Sequence, residues 1–151
     1  MEKYCIPIPT SEDWGEIDRD NLDLRWAYEH YLGKSCEDLR DRYLHKTAIE
    51  TVDDLRWMPF RPFVYYSRCL ATFLLTNPLN ESTEPDMASC FLDVVEERLR
   101  DCPEYITANR ALIREAVEFI AKNQERFDAD LDIYGDFSQQ AAAIFALLDR
   151  R

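Results

Sequence analysis

Hydrophobic positions along this chain recur mostly at helical spacing, and prolines and short acidic stretches divide the pattern into segments. In "RPFVYYSRCLATFLLT", Phe63, Tyr66, Leu70, Phe73 and Leu74 fall on one face, with Arg61, Tyr65, Arg68 and Thr72 on the opposite one. Proline is tolerated only in a first helical turn, so Pro59 and Pro62 place the start of this helix near Pro62, with its end at Thr76. Met87, Phe91, Val94, Val95 and Leu99 predict a second helix, with Asp86 as its N-cap. After Pro103, the stripe Ile106, Leu112, Ile113, Ala116, Val117 and Ile120 predicts one long helix. Phe137, Ala141, Ile144, Phe145 and Leu148 predict the last.

Upstream the signals are shorter. Pro7 and Pro9 favour extended backbone before them, and Thr10 with Asp13 three residues on suits a capped turn. "DNLDLRWAYEHYLGKS" reads as a short helix or irregular segment closed by Gly33. Ser35 with Asp38 predicts a capped helix through about Leu44. The polar stretch Asn77–Asp86 carries two prolines and reads as a loop. The expected architecture is all-α: a single compact domain over residues 1–151, with about five or six helices. An extended N-terminal arm covers about 1–20, and a polar loop covers about 77–86. Three glycines are too few for a sheet built on tight hairpins. A chain of 151 residues buries roughly 68–70% of its unfolded surface, enough for a core.

Composition narrows the function classes. The formal net charge is −12, which argues against direct nucleic-acid binding, where Lys and Arg must displace counterions, and against an anionic membrane surface, which attracts cationic side chains. The aromatic run Asp53–Leu75 is not a bilayer span. Such a span takes about 20 predominantly apolar residues, and Arg61 and Arg68 interrupt a shorter run. Five cysteines, Cys5, Cys36, Cys69, Cys90 and Cys102, form no C-x-x-C pair, and "MEKYCIPIPTSED" has no charged-then-apolar signal pattern. Free thiols in the cytoplasm are the expectation.

Candidate chemistry is sparse. Asp128, Asp130 and Asp132 alternate as in a calcium loop, but Ile133 and Gln139 stand where that loop needs Gly and Glu. The same residues suit a loop in which Gly135 takes a positive φ and Asp136 caps the next helix. His30 and His45 lie on different segments without zinc-ligand spacing. Cys69 sits mid-helix in an apolar run and reads as a small core residue, while the adjacent acids Asp53/Asp54 and Glu96/Glu97 read as solvated surface. No catalytic residue, metal site or cofactor is assigned, and an enzyme has little support.

Four segments, "GKSCEDL", "DDLRWMPFRPFVYYSRCLATFLL", "ASCFLDVVEERL" and "NQERFDADLDIYGDF", together resemble a family of small, mostly helical bacterial proteins of unknown function. The likeness runs from about Tyr28 to the C-terminus. The family pattern places an acidic-Leu-x-Trp-Met stretch before a Phe-x-Tyr-Tyr helix. Here Pro59-Phe60 follows the Trp-Met pair where the pattern has Gly-Pro. The resemblance implies a helical fold and supplies no catalytic residue.

Two acidic clusters carry the functional expectation. Glu12–Asp23 holds six acids against one Arg and includes Trp14; Glu125–Asp136 holds five against one, with Phe127 and Tyr134. Acid interleaved with aromatic suits capture of a basic protein surface, because charge speeds encounter while aromatic anchors carry affinity. The expected partner-binding set is Asp13, Trp14, Glu16, Asp18, Asp20, Asp128, Asp130, Asp132 and Tyr134. The expected function is a non-catalytic acidic protein, of the immunity-protein or antitoxin type, that occludes a basic toxin, nuclease or other effector; a variant within that class is a nucleic-acid mimic. The alternative is a small enzyme or anion-binding module using Arg61, Tyr65 and Arg68.

Overall fold

Every apolar stripe read above becomes helix in the computed structural model, which describes residues 6–46, 48, 51–76 and 84–150. Among these residues there are nine α-helices and no strand. They are α1 Ser11–Trp14, α2 Leu22–Tyr31, α3 Cys36–His45, α4 Phe60–Thr76, α5 Glu84–Asp101, α6 Glu104–Thr107, α7 Arg110–Lys122, α8 Leu131–Tyr134 and α9 Phe137–Asp149. A 3-10 helix, Val52–Trp57, links α3 to α4. The protein is all-α, with more helices than the five or six expected because several are single turns and one stripe is broken.

The packing closes into a ring: α4 lies on α7, α7 on α9, α9 on α5, α5 on the 3-10 helix, and the 3-10 helix on α4. Phe63, Tyr66, Leu70, Phe91, Ile113, Ile120, Phe137 and Ile144 are each at most 1% exposed and fill the interior. α1 and α3 also pack on α4, which is therefore covered on several sides. Tyr65, assigned to the open face by its spacing, is buried for that reason and packs edge-on against Tyr66.

Local capping accounts for most boundaries. Thr10/Asp13 and Ser35/Asp38 form reciprocal capping boxes at the starts of α1 and α3. The long helix expected after Pro103 is divided instead, because Asn109 leaves helical geometry (φ −123°) and its Nδ2 donates to the Val64 carbonyl of α4 at 2.8 Å. Asp86 is not an N-cap: α5 begins two residues earlier, and the Asp86 carboxylate accepts the Tyr134 hydroxyl instead. Of the loop expected at 77–86, residues 77–83 lie outside the described residues.

Within the described part of the N-terminal arm, Trp14 is docked on the core. Trp14 is 3% exposed, edge-on to Tyr28 at 5.5 Å and tilted against Tyr66 at 6.4 Å. Free thiols are corrected for two cysteines: Cys36 and Cys69 form a disulfide, with Cα atoms 5.1 Å apart, that joins the start of α3 to the middle of α4. The reading of Cys69 as a buried residue stands, but its sulfur is bonded. No helix among the described residues is long and apolar enough to cross a membrane.

Candidate protein-binding surface

The second acidic cluster is a rigid turn with its apolar side chains outward. After α7, Phe127 and Ala129 turn inward and are buried. Between them, Asp128 adopts φ 57°, a left-handed conformation that Asp tolerates better than most residues. Asp130 caps α8 by accepting the Asp132 N–H, Gly135 follows at φ 77°, and Asp136 caps α9 by accepting the Ser138 N–H. Gln124 braces the whole segment from within: its Nε2 donates to the carbonyls of Ala129 at 3.0 Å and Gly135 at 2.8 Å, and its Oε1 accepts the Phe137 N–H at 2.9 Å.

Leu131 and Ile133 of this segment project into solvent at 61% and 74% exposure. Asp128, Asp130, Asp132 and Asp136 of the same segment are exposed as well. A hollow of about 430 Å³ lies beside Leu131, lined also by Glu125, Asp128, Asp130 and Asp132. On the α5 side, the Tyr134 hydroxyl donates to Asp86 at 2.6 Å, a bond that pushes the phenol up to about 12. Tyr134 and Asp86 also line a hollow of about 540 Å³ with Asp53, Arg56, Cys90 and Asp93. Burial pushes the Cys90 thiol up to about 11, against the lowering influence of Arg56, so it is a weak nucleophile at neutral pH.

The first cluster is divided by the fold. Asp18 and Asp20 stay exposed, but Trp14 belongs to the core, so it cannot anchor a partner as expected. The apolar surface near these acids comes from α2 instead: Leu22 is 70% and Trp26 45% exposed, four residues apart on one face. Trp26 stacks on His30 at 3.9 Å, and the His30 Nδ1–H donates to the Trp26 carbonyl at 2.8 Å.

The Arg61/Tyr65/Arg68 face does not assemble as one site. Tyr65 is buried; Arg61, largely exposed, approaches Asp13 at 3.8 Å; Arg68 lines a hollow beside the disulfide. His30 and His45 line one hollow between α2 and α3, where His45 pairs with Asp41. No group of three potential metal-ligating side chains occurs among the described residues.

Asp54, read as surface, is buried. One of its oxygens has no hydrogen-bond partner among the described residues, and burial pushes the carboxyl up to about 7, opposed by Arg42 and Tyr31. The Tyr31 hydroxyl donates to the Thr51 carbonyl at 2.9 Å above it. Asp53 faces outward and pairs with Arg56, which also binds Glu97 through two 2.9 Å bonds. No protein-family model, curated protein or solved structure matches this chain.

Proposed function

We propose that this chain is a non-catalytic acidic binding protein that occludes a basic protein partner, in the manner of an immunity protein or antitoxin. The carrying observation is that Leu131 and Ile133 stand exposed on a hydrogen-bonded turn that also carries four exposed aspartates, Asp128, Asp130, Asp132 and Asp136. A backbone already held in place adds little ordering cost on docking, and the two side chains desolvate favourably against an apolar patch. The carboxylates of the turn, and the carboxylate-lined hollow of about 430 Å³, suit a Lys or Arg side chain beside that patch. The α2 residues Leu22 and Trp26 offer a second contact of the same kind. A cytoplasmic setting belongs to this proposal; disulfides there are usually transient and redox-sensing.

The test compares wild-type protein with Leu131→Ser/Ile133→Ser as bait in extracts of the native cell, followed by binding kinetics on the purified partner. Loss of one high-pI protein, with the variant's melting temperature unchanged, supports the reading. Asp130→Lys/Asp132→Lys should then slow association, and added salt should slow it for the wild type. Equal recovery by both baits, or no basic protein recovered by either, overturns it.

A further inference from the structure

Helix α3 is held lightly along its length and firmly at one point. It packs mainly on α4, burying Leu39 and Tyr43 with the Tyr43 ring 5.1 Å from Phe73, while Glu37, Asp38, Arg40 and Asp41 are exposed. A hollow of about 360 Å³ lies between α3 and α2, and another of about 670 Å³ opens between α3 and α4. The firm point is Cys36, the first residue of α3, bonded to Cys69 of α4. Cys36 is exposed, and both cysteines line the larger hollow, which gives a reductant access to the bond.

α3 also helps to enclose a buried carboxyl. Asp54 is 5% exposed, and one of its oxygens has no hydrogen-bond partner among the described residues. Arg42 and Tyr43 of α3 act on its charge, as do Tyr31 and Asp23 of α2 and the adjacent Asp53. On the α5 side, Glu97 is engaged by Arg56. Water would satisfy the orphaned oxygen, so an excursion of α3 that admits water recovers part of its own cost.

We propose that α3 is a flap over Asp54, latched by the Cys36–Cys69 bond and released when a dithiol reductant cleaves that bond. One thiolate of the reductant attacks a sulfur of the bond, and the bond's electron pair leaves on the other sulfur. The reductant's second thiolate then closes its own ring disulfide and displaces the remaining cysteine sulfur. Both cysteines end as thiols, carrying the two electrons and two protons that the dithiol gives up. Tyr66 limits the release: its hydroxyl is shared between the Tyr31 and Lys34 carbonyls at 2.6 and 2.9 Å, keeping the linker before α3 on α4. Hydrogen bonds and apolar contacts open and reclose, whereas a covalent bond forbids separation. The disulfide therefore decides whether the first turn of α3 lifts away.

The experiment follows amide hydrogen exchange of the full-length protein by mass spectrometry, oxidised and after treatment with dithiothreitol. Reduction should speed exchange in Cys36–His45 by about tenfold or more and leave α7 and α9 unchanged, because the opening is local. Cys36→Ser, a change at an exposed position, should reproduce that pattern without reductant. In the reduced protein, opening of α3 corrected for intrinsic exchange should grow from about pH 6 to about pH 8. The closed state holds the Asp54 proton and the open state releases it to water, so rising pH favours opening. Asp54→Asn should abolish that growth. Unchanged exchange in α3 on reduction or in Cys36→Ser overturns the proposal, as does an equal rise in every helix, which would make the bond a general staple. A pH dependence that survives in Asp54→Asn overturns it too. So do five titratable thiols in the denatured, unreduced protein, since five cysteines with one bond leave three.

Discussion

The side-chain oxygen of Gln124 accepts the backbone N–H of Phe137 at 2.9 Å, so the residue before the acidic segment fastens the residue after it. The same amide donates to two carbonyls within the segment, leaving none of its polar atoms idle. Leu131 and Ile133 lie within the segment that this half-buried side chain fastens at both ends.

Gln124→Ala should destabilise the protein by about 2–3 kcal/mol, at about 1 kcal/mol for each of three hydrogen bonds. Gln124→Glu should cost more, although it preserves the shape. Its second oxygen would face the Ala129 and Gly135 carbonyls without a proton to offer. Urea unfolding of both variants checks the order; Glu equal to or better than Ala contradicts it.

Asp54 gives a pH dependence of defined sign. Its ordinary value of 3.8 is raised to about 7 in the folded protein, chiefly by burial, with Arg42 and Tyr31 opposing and Asp53 and Asp23 adding. The folded state therefore holds the proton more tightly than the unfolded chain. The stability this contributes is full below about pH 4 and is lost as pH rises toward 7, by up to about 4 kcal/mol. Asp54→Asn cannot charge. Relative to wild type, it should be distinctly more stable at pH 8 than at pH 5, by denaturant midpoints; a difference independent of pH removes the buried titration.

Trp14 separates core from surface. Trp14→Ala should destabilise by about 3–5 kcal/mol, as large-to-small core changes do. Trp14→Phe should cost much less, because the buried indole N–H has no hydrogen-bond partner among the described residues. Thermal unfolding distinguishes these outcomes from a near-neutral Trp14→Ala, which would put the indole back in solvent.

What the sequence disclosed was chiefly what is local. The capping boxes at Thr10 and Ser35, the Gly135 turn and the Asp136 cap depend on neighbours within a few residues, and all were readable. The stripe Phe63, Tyr66, Leu70, Phe73 and Leu74 was equally legible, because one face of a helix follows from spacing alone. Tyr65 and Trp14 were misplaced because their burial depends on helices arriving from elsewhere, α1 and α3 onto α4 and α2 onto α1's tryptophan. The Cys36–Cys69 bond spans 33 residues, and nothing in the spacing selects that pair among five cysteines. Asp54 beside Asp53 looked like surface, since sequence cannot say which of two adjacent acids a 3-10 turn directs inward. Leu131 and Ile133 lie within an acidic loop, and only their exposure in the folded chain reveals that they point out.

The ring of helices also has a consequence in time. α9 covers both α5 and α7, yet of the ring's members it leaves the ribosome last. Until Phe137, Ala141, Ile144 and Leu148 emerge, the apolar stripes of α5 and α7 have no lid. The growing chain must carry Phe91, Val94, Ile113 and Ile120 in a partly open state through synthesis, the stage at which a chaperone has its opportunity to bind. The ring is sealed by its last member in chain order rather than built up one finished layer at a time.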